Sequence, residues 1–339
     1  MSDGTLVVQT AFLGDVILST PLLSALAARH GPVDVVTTPL AAPLLETHAA
    51  VRQVFPYDKR RADRGWKGLN GLAKRLQEQR YGRAYLPHRS LRSAALALLA
   101  RIPSRIGFSG GWSFLYTEAR PKPRTGHETD RLLALANGAS GTYRPHLQPT
   151  AEDEQTVTET LADLELDSGV AFVALAPGSI WGSKRWPYFV ELAASLTRRV
   201  AVVAVGSRDD VELGDEIVRA VRPSGRRAVN ACGRLTLRQS AALIGKAALL
   251  VTNDSAPLHL ATAMGTPVVA LFGPTVTEFG FGPLRAGDVA LGIDGLQCRP
   301  CSPHGPAACP LGHHRCMREL TVAAVIAAIE ELGALRPRN

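Results

Sequence analysis

Three short segments of this sequence combine residue types that could move a proton or bind a phosphate. Gly14-Asp15 supplies a carboxylate, segment 176–187 supplies glycine, hydroxyl and cation, and segment 253–259 supplies carboxylate, hydroxyl and imidazole. Each segment directly follows a short apolar run that is typical of a buried strand. The chemistry that these residues offer is general base catalysis and anion binding at the ends of strands.

Asp15 allows two interpretations. It stands where the first helix is predicted to begin, so its carboxylate could cap that helix, which is a common use of aspartate. The alternative is a carboxylate that is free to act as a base toward a bound substrate. The turn alone favours the cap, and the base remains the second hypothesis.

Ser179 and Lys184 lie between a predicted strand and a helix that begins near Pro187. Glycine, hydroxyl and cation before a helix favour an anion, because the first backbone N–H groups are unpaired and the helix dipole is positive there. The alternative is a plain loop with a solvated lysine. The position after the first strand of the second half favours phosphate binding.

Asp254, Ser255 and His259 follow another buried strand. Ser255 and His259 are four residues apart and therefore share one helix face. Asp254 or Ser255 could only cap the helix, but the same N–H groups also suit a pyrophosphate. We therefore predict that this segment contacts a ligand.

The elements that must position these segments alternate between strand and amphipathic helix. Continuous apolar strands joined by helices predict parallel sheets covered on both faces, that is, doubly wound α/β domains. The predicted strands cover 6–10, 33–38, 83–87, 170–176, 200–205, 249–252 and 268–272. The predicted helices cover 15–30, 40–49, 187–199, 209–222, 236–247, 256–264 and 319–332.

The length of 339 residues favours two domains. The boundary is expected within 145–168, where a proline-bearing stretch leads into an acidic helix. We place the first domain at 1–160, the second at 161–318 and a closing helical segment at 319–339. Ligands of open α/β sheets bind beyond the carboxyl ends of the strands, which is where the three segments lie.

Several protein classes are excluded by what the sequence lacks. No G-x-G-x-x-G follows the first strand, no G-x-x-x-x-G-K-[ST] occurs, and no two aspartates are separated by one residue. Dehydrogenases, P-loop phosphotransferases and D-x-D metal–nucleotide sites are therefore disfavoured. Without a secretory signal or a membrane-spanning apolar run, we expect a cytoplasmic protein with reduced thiols.

The net charge of +8 predicts an anionic partner. Much of the surplus lies in segment 59–124, which has 16 Lys or Arg and three acids. A solvated face is one interpretation of this segment, and nucleic acid is another. No helix-turn-helix, zinc-finger or RNA-binding signature accompanies the charge, so we expect no nucleic acid.

Four cysteines fall close together as Cys298-x₂-Cys301-x₇-Cys309-x₆-Cys316. A C-x₂-C pair with two further cysteines could hold a structural Zn²⁺, with His313 or His314 replacing one thiolate. The second pair is not C-x₂-C, and reduced thiols that pack a loop are the alternative. Both interpretations stay open.

The motifs together resemble glycosyltransferase family 9, the ADP-heptose–lipopolysaccharide heptosyltransferases. Lys-Arg-Trp-Pro and the cysteine segment look most like the heptosyltransferase II branch. The resemblance spans nearly the whole chain in order, and it implies the GT-B fold, with two Rossmann-like domains facing a central cleft. Its motifs are Ala-Phe-Leu-Gly-Asp (11–15), Ala-Pro-Gly-Ser (176–179), Lys-Arg-Trp-Pro (184–187), Gly-Ser-Arg-Asp-Asp (206–210), Asn-Asp-Ser-Ala-Pro-Leu-His (253–259) and Thr-Pro-Val-Val-Ala-Leu-Phe-Gly-Pro-Thr (266–275).

The resemblance implies an inverting transfer with Asp15 as the general base. The family's phosphate-side lysine falls on Lys184, preceded by Ser179, and Ser255 is expected near the phosphates. Asp254 should contact the heptose hydroxyls, while His259 should orient its loop. An acidic residue after the Gly-Ser turn serves the nucleotide, and Asp210 and Glu212 both fit.

The resemblance also assigns the acceptor to the first domain, with Gly14, His88, Arg89 and Arg92 as the expected contacts. The closing segment 319–339 is expected to pack back on that domain. No protein-bound catalytic metal is required, because a lysine and a helix dipole can stabilise the leaving ADP; Mg²⁺ from solution could assist.

The implied partners are ADP-heptose, a phosphorylated lipid A–core acceptor and the anionic inner leaflet. The expected location is the cytoplasmic face of the inner membrane, with the protein a peripheral monomer. The alternatives are a transferase for another sugar, a nucleotide-sugar epimerase and a GT-B-like protein that only binds nucleotide or glycolipid.

Overall fold

A computed structural model of the protein describes residues 4–137, 143–167, 169–224 and 227–335. The chain divides into two compact units, Met1–Gln148 and Pro149–Asn339. Each unit is built around its own parallel sheet, which confirms the predicted α/β class with two Rossmann-like halves.

The sheet of the first unit has six strands within the described ranges, in the order β3-β2-β1-β4-β5-β6. All neighbouring pairs in it are parallel. The strands are β1 (Thr5–Gln9), β2 (Val33–Thr37), β3 (Val51–Pro56), β4 (Arg83–Leu86), β5 (Ser104–Phe108) and β6 (Glu118–Arg120).

Helices cover both faces of this first sheet. In β1, Leu6 and Val8 belong to one hydrophobic cluster and Val7 belongs to another, as the two-residue period of a strand requires. The helices are α1 (Leu13–Leu18), α2 (Thr20–His30), α3 (Ala42–Leu45), α4 (Gly65–Glu78), α5 (Leu91–Leu99) and α6 (Glu128–Leu133).

The sheet of the second unit repeats the plan, in the order β12-β11-β10-β7-β8-β9. Its strands are β7 (Phe172–Ala176), β8 (Ala201–Ala204), β9 (Ala228–Asn230), β10 (Leu249–Asn253), β11 (Val268–Leu271) and β12 (Val289–Leu291). Its helices are α7 (Ala151–Asp163), α8 (Phe189–Leu196), α9 (Val211–Val221), α10 (Leu237–Lys246), α11 (Ala256–Met264), α12 (Arg315–Arg318) and α13 (Val322–Leu332).

The boundary between the units, after Gln148, lies within the expected interval 145–168 but earlier than the position 160 chosen for the end of the first domain. Helix α7 belongs to the second unit, where it packs against α10. The Asp153 carboxylate of α7 is held by Arg238 of α10, and Glu154 lies 3.6 Å from Lys246. These ion pairs and the contact with α10 explain why the acidic helix follows the boundary instead of preceding it.

The closing helix also differs from its prediction. It begins at Val322 instead of residue 319, after the separate short helix α12, and Thr321 caps α13 through a hydrogen bond from the Ala324 amide. Val325 and Ile329 belong to the hydrophobic core of the second unit. The helix therefore contributes to the core of the second unit, and its expected packing on the first domain stays a prediction.

The helix predicted over 15–30 is interrupted at Ser19. The Ser19 hydroxyl donates to the Val16 carbonyl at 2.7 Å, and the Thr20 hydroxyl donates to the Ile17 carbonyl at 2.8 Å. Such local side-chain bonds compete with the regular helix ladder. The result is two helices, α1 and α2, and the short α1 carries Asp15 directly after β1.

Candidate active site

Asp15 lies in the first turn of α1. The N-cap position belongs to Phe12, whose backbone amide hydrogen-bonds the Asp15 carboxylate. An acidic side chain at the third helical position commonly makes this return contact. Asp15 therefore stabilises the start of the helix without being its cap, and half-buried Gly14 lies beside it in the same turn.

The surroundings of Asp15 make its carboxylate unusually basic. Burial raises the pKa of Asp15 from 3.8 to about 6, and repulsion from Glu128 acts in the same direction. Attraction to Lys122 and the hydrogen bond from Phe12 oppose the rise. Such a carboxylate is ionised at neutral pH but accepts a proton more readily than an ordinary aspartate, as a general base must.

Glu128 and Lys122 are site residues that the sequence reasoning missed. Glu128 is only 4% exposed, and its carboxylate lies 2.5 Å from Lys122 Nζ and 3.4 Å from Arg131 Nη1. The available signal was the Pro-Lys-Pro-Arg run at 121–124, at the end of the basic segment. This network fixes the charges that act on Asp15.

A cation-lined cavity of about 440 Å³ opens beside this network. Arginine and lysine side chains dominate its wall, and the structure brings predicted Arg89 together with cations from the loop after β6 and from α6. Its lining residues are Arg89, Ser109, Pro121, Lys122, Pro123, Arg124 and Arg131. The cavity can bind an anionic group because positive side chains converge on it.

The other predicted acceptor contacts lie at the same edge of the sheet but do not line this cavity. His88 follows β4, and burial together with Lys59, Lys122 and Arg89 lowers its pKa. Arg92 Nη1 lies 3.5 Å from the Tyr57 hydroxyl and 3.4 Å from the Lys59 carbonyl oxygen. His88 is therefore held neutral, and Arg92 supports the loop after β3.

In the second unit, Lys184, Asp254 and Thr275 form a buried cluster. Lys184 Nζ lies 2.5 Å from Asp254 Oδ2, and the Thr275 hydroxyl donates to the same oxygen at 2.6 Å. Lys184 is 7% and Asp254 8% exposed. Two predicted residues thus contact each other, and Thr275 is an addition within a motif that the sequence had already singled out.

Asn253 ties together the loops that carry this cluster, although the sequence reasoning gave it no role. Its Oδ1 accepts a hydrogen bond from the Trp186 amide at 3.0 Å. Its Nδ2 donates to the carbonyls of Pro177, at 2.9 Å, and Gly178, at 3.3 Å. The loop after β7 is therefore fastened to the end of β10, next to Asp254.

Ser179 and Ser255 lie at the two turns predicted to bind phosphate. The Ser179 hydroxyl accepts from the Trp181 amide at 3.3 Å. Ser255 is the N-cap residue of α11, but its hydroxyl donates to the Asn253 carbonyl at 3.4 Å and makes no capping bond to the helix. Because the Ser255 hydroxyl makes no capping bond, the backbone N–H groups at the start of α11 form a potential anion site.

His259 is buried one turn into α11 and is 5% exposed. Its ring lies edge-to-face on Phe281, with 6.3 Å between centroids. This packing places α11 against the loop that follows β11, while the expected role of His259 in orienting the Asp254–Ser255 loop stays a prediction.

The two acidic candidates after the Gly-Ser turn occupy different places. Asp210 accepts from the Ser207 amide and hydroxyl at 2.8 and 2.7 Å, and it lies so close to Gly178 that a Cβ there would collide with its carboxylate. Glu212 is exposed in the first turn of α9. Asp210 is therefore the one at the edge of the sheet where the Lys184 loop begins.

Comparison with known proteins identifies the family. Residues 70–308 match the sequence profile of glycosyltransferase family 9 (heptosyltransferase). The chain is 30% identical over 321 residues to lipopolysaccharide heptosyltransferase 2 of Salmonella typhimurium, covering 85% of this chain and 92% of that protein. The chain belongs to glycosyltransferase family 9.

Solved structures agree with this membership. The structure of E. coli ADP-heptose lps heptosyltransferase II is similar to that of this family 9 chain, with a TM-score of 0.78 and 28% identity. The matched region covers 97% of this chain and 98% of the E. coli chain. The structure of a family 9 glycosyl transferase from Veillonella parvula is also similar, with a TM-score of 0.87 and 23% identity. The matched region covers 98% of this chain and 97% of the Veillonella chain. The solved structures confirm the predicted GT-B fold class, and membership of family 9 confirms the predicted glycosyltransferase activity.

The cysteine segment of this family 9 chain forms a compact group of free thiols, all within the described ranges. The Cys301 thiol donates to the Cys298 carbonyl at 3.2 Å, and Cys298 Sγ lies 3.9 Å from His313 Nε2. Backbone amides of residues 311–314 bond Cys309 and lower its pKa.

The arrangement of the cysteine segment does not reproduce the metal centre that its spacing allowed. Among the residues described, no three or more His, Cys, Asp or Glu side chains are grouped so that they could hold a metal ion. His314 Nε2 donates to the Ser183 carbonyl oxygen at 2.6 Å instead of facing the thiols. The reduced thiols pack a loop in this structure, while zinc binding by the protein in solution stays a prediction.

Proposed function

We propose that this family 9 glycosyltransferase moves a heptose from ADP-heptose to the inner core of a lipopolysaccharide acceptor, with inversion. The observation that carries the proposal is Asp15, a carboxylate with a raised pKa beside a cation-lined cavity. The names of the relatives at 30% identity supply the sugar and the acceptor class.

On the acceptor side, Asp15 takes the proton from the attacking sugar hydroxyl. The hydroxyl oxygen forms the new bond to the anomeric carbon as the bond to the ADP oxygen breaks, and ADP leaves as an anion. Burial and the Glu128 charge make Asp15 basic, while Lys122 opposes the rise in its pKa and so helps to keep it ionised at neutral pH. A positioned base of this kind contributes typically about 10²- to 10⁴-fold to the rate.

On the donor side, Lys184 and the N-terminus of α11 at Ser255 stabilise the charge that grows on the pyrophosphate. Preorganised donors stabilise such charge most when they are already in place before the reaction. Asp254 Oδ2 holds Lys184 and Thr275, so we assign its Oδ1 to the heptose hydroxyls. Asp210, next to Gly178, is assigned to the nucleotide, with no protein-bound metal required.

The acceptor's phosphate groups fit the cavity lined by Arg89, Lys122, Arg124 and Arg131. These cations provide charge-assisted hydrogen bonds, which are stronger than neutral ones. Binding a phosphate there would place the sugar near Asp15, because Lys122 acts on both.

We also propose that the first unit docks on an anionic bilayer surface from the cytoplasmic side. No helix within the described ranges is both long and apolar enough to span a membrane. The turn between β5 and β6, however, exposes Trp112 by 42% and Phe114 by 74%. It contacts α5, which exposes Leu98 and Leu99, and both elements lie within basic segment 59–124. Aromatic side chains suit the membrane interface, and each nearby cation adds about 1 kcal/mol on an anionic surface.

The transfer is tested with purified enzyme, ADP-heptose and a core acceptor that lacks the heptose. We expect ADP release together with an acceptor mass increased by one heptose, with and without EDTA. Release of ADP at the background rate, or transfer from another nucleotide sugar at a higher rate, would contradict the proposal.

Docking is tested by sedimentation with vesicles that contain phosphatidylglycerol. The double variant Trp112→Ser, Phe114→Ser should lose vesicle binding but keep activity on a lipid-free acceptor. Leu311→Ser removes a side chain of similar exposure in the second unit and serves as the control. Equal sedimentation of both variants and the parent would reject this surface.

A further inference from the structure

Segment 298–316, which carries the four clustered cysteines, contacts both loops of the Lys184–Asp254–Thr275 cluster. We propose that this segment, here called the clamp segment, positions Lys184 and Thr275 for the pyrophosphate of the donor, with Arg299 and His314 as its positioning residues. The proposal rests on the proposed function, because it takes the cluster to be the donor site.

The middle and C-terminal part of the clamp, residues 305–314, holds the turn that carries Lys184. The Ser183 hydroxyl donates to the Pro306 carbonyl, and the Ser183 carbonyl accepts from His314 Nε2 at 2.6 Å. Gly305 adopts a φ of +78°, and a Cβ there would fall 3.0 Å from Lys184 Cε. The turn is thus bound on both sides of its backbone, while the lysine stem lies against a glycine.

The N-terminal end of the clamp holds the loop that carries Thr275. Arg299 Nε donates to the Gly273 carbonyl at 2.8 Å, and its Nη2 donates to the Thr275 carbonyl at 3.1 Å. Its Nη1 donates to the Ile293 carbonyl at 2.8 Å. The planar guanidinium can span three carbonyls in this way, whereas a lysine ammonium has no such fork.

The clamp segment is itself anchored in the core of the second unit. Cys316 and Met317 are buried in the hydrophobic cluster. The Cys301 amide donates to the Pro274 carbonyl at 2.8 Å, next to the Thr275 loop. A segment that is anchored in the core and bonded to both loops can transmit rigidity to the cluster.

Rigidity matters here because the cluster is a charged pair joined by hydrogen bonds. Thr275 and Lys184 both bond one oxygen, Asp254 Oδ2. If either loop shifts, the lysine no longer lies where the phosphate charge develops. A misplacement of about 1 Å can cost about 10²-fold in rate. Arg299 donates to the backbone carbonyls of Gly273 and Thr275, and His314 donates to that of Ser183, so both residues act on the cluster through its loops.

The experiment compares His314→Ala with His314→Gln, whose amide retains a donor near the position of Nε2. Loss of one hydrogen bond should raise the KM for ADP-heptose and the Kd for ADP by about 3- to 10-fold in His314→Ala. The KM for the acceptor should not change, and His314→Gln should recover most of the donor affinity. Arg315→Ala, at the next and exposed position, is the matched control and should behave like the parent.

A second measurement does not depend on the donor. Amide hydrogen exchange at residues 182–184 should accelerate in His314→Ala, and exchange at 273–275 should accelerate in Arg299→Lys, but neither should change in Arg315→Ala. A merely structural role would instead lower Tm while leaving the donor KM, the Kd for ADP and the exchange of both loops unchanged, which would overturn the proposal.

The two measurements distinguish a failure of the clamp proposal from a failure of the proposed function. Unchanged exchange in both loops rejects the clamp whatever the enzyme's substrate. Faster exchange in a protein that neither binds ADP nor transfers heptose rejects the proposed function, and with it the donor role given to the clamp.

Discussion

The carboxyl edges of the two sheets carry opposite kinds of electrostatics. At the first sheet, Arg89 and Arg124 are exposed cations around a cavity. At the second sheet, Lys184 and Asp254 are buried and paired at 2.5 Å. One edge therefore presents positive charge to solvent, whereas the other has already matched its charges inside the protein.

This difference fits the two substrates that we propose. A large phosphorylated glycolipid can be attracted by exposed cations, whose field acts over roughly 8–10 Å at physiological salt. A small pyrophosphate leaving group requires donors fixed before the reaction, and a buried pair provides them at the expense of desolvation. Asp15 combines both features, because it is buried enough to be basic but faces the cationic edge.

The sharpest test of the comparison is Asp15→Asn. The amide keeps an acceptor for the Phe12 amide, so the helix start should survive while the base is lost. We expect kcat to fall by about 10²- to 10⁴-fold, with the Kd for ADP unchanged in calorimetry. An equal loss of ADP affinity would mean that Asp15 serves the structure instead of the chemistry.

Lys184→Met tests the buried edge. Removing one partner of a buried pair leaves an uncompensated charge on Asp254, so the free energy of unfolding should fall by about 3–5 kcal/mol. The Kd for ADP should rise by about 10- to 100-fold, because a charge-assisted hydrogen bond to phosphate is lost. Denaturant unfolding and calorimetry measure the two effects.

The double variant Lys184→Met, Asp254→Asn separates the effect on stability from the effect on ADP affinity. The neutral amide can still accept from the Thr275 hydroxyl, so most of the stability should return. ADP affinity should stay low, since the cation is still absent. Recovery of ADP binding together with stability would show that the lysine only supports the fold.

The sequence predicted the fold class because its strands are continuous apolar runs. It missed β6 because Glu118–Arg120 is a short edge strand with no apolar run. Because β6 was missed, Lys122 was missed as a site residue, since the loop after β6 brings Lys122 to Asp15. A residue more than 100 positions away in the chain can be placed there only by strand order, which single-sequence periodicity does not specify.

The donor motifs were easier to predict, because each lies directly at the end of a well-marked strand. Even there, the sequence indicated Lys184 and Asp254 as separate ligand contacts and did not indicate their pairing. Thr275 and Arg299 were also missed, because their roles depend on loops that approach each other only in three dimensions.

The pH profile sharpens the contrast between the edges. Asp15 must be ionised to act as a base, so kcat/KM should be flat above its pKa of about 6. Below that pH, kcat/KM should fall about tenfold per unit, as for a single essential base. The affinity for ADP should not show this fall below pH 6. A profile that stays flat down to pH 5 would contradict the role of Asp15.

The same raised pKa has a consequence for stability. The folded protein binds more protons than the unfolded chain between pH 3.8 and about 6, so Asp15 makes stability fall as the pH rises through that window. Asp15→Asn removes this effect. At pH 7 the variant should unfold with a free energy up to about 3 kcal/mol greater than the parent's, and at pH 3.5 the two should be nearly equal.

The smallest effects are expected at the exposed edge. Arg89→Ala and Arg124→Ala should each raise the acceptor KM by about 2- to 5-fold, because exposed ion pairs are weak and screened by salt. Arg29→Ala is the control, since Arg29 lies in the last turn of α2, which leads into the opposite edge of the sheet. In the double variant Arg89→Ala, Arg124→Ala, the acceptor KM should depend less on ionic strength, while the donor KM and Tm stay unchanged. An unchanged salt dependence would place the acceptor's phosphates elsewhere, and the contrast between an open cationic edge and a closed paired one would then no longer explain how the two substrates are bound.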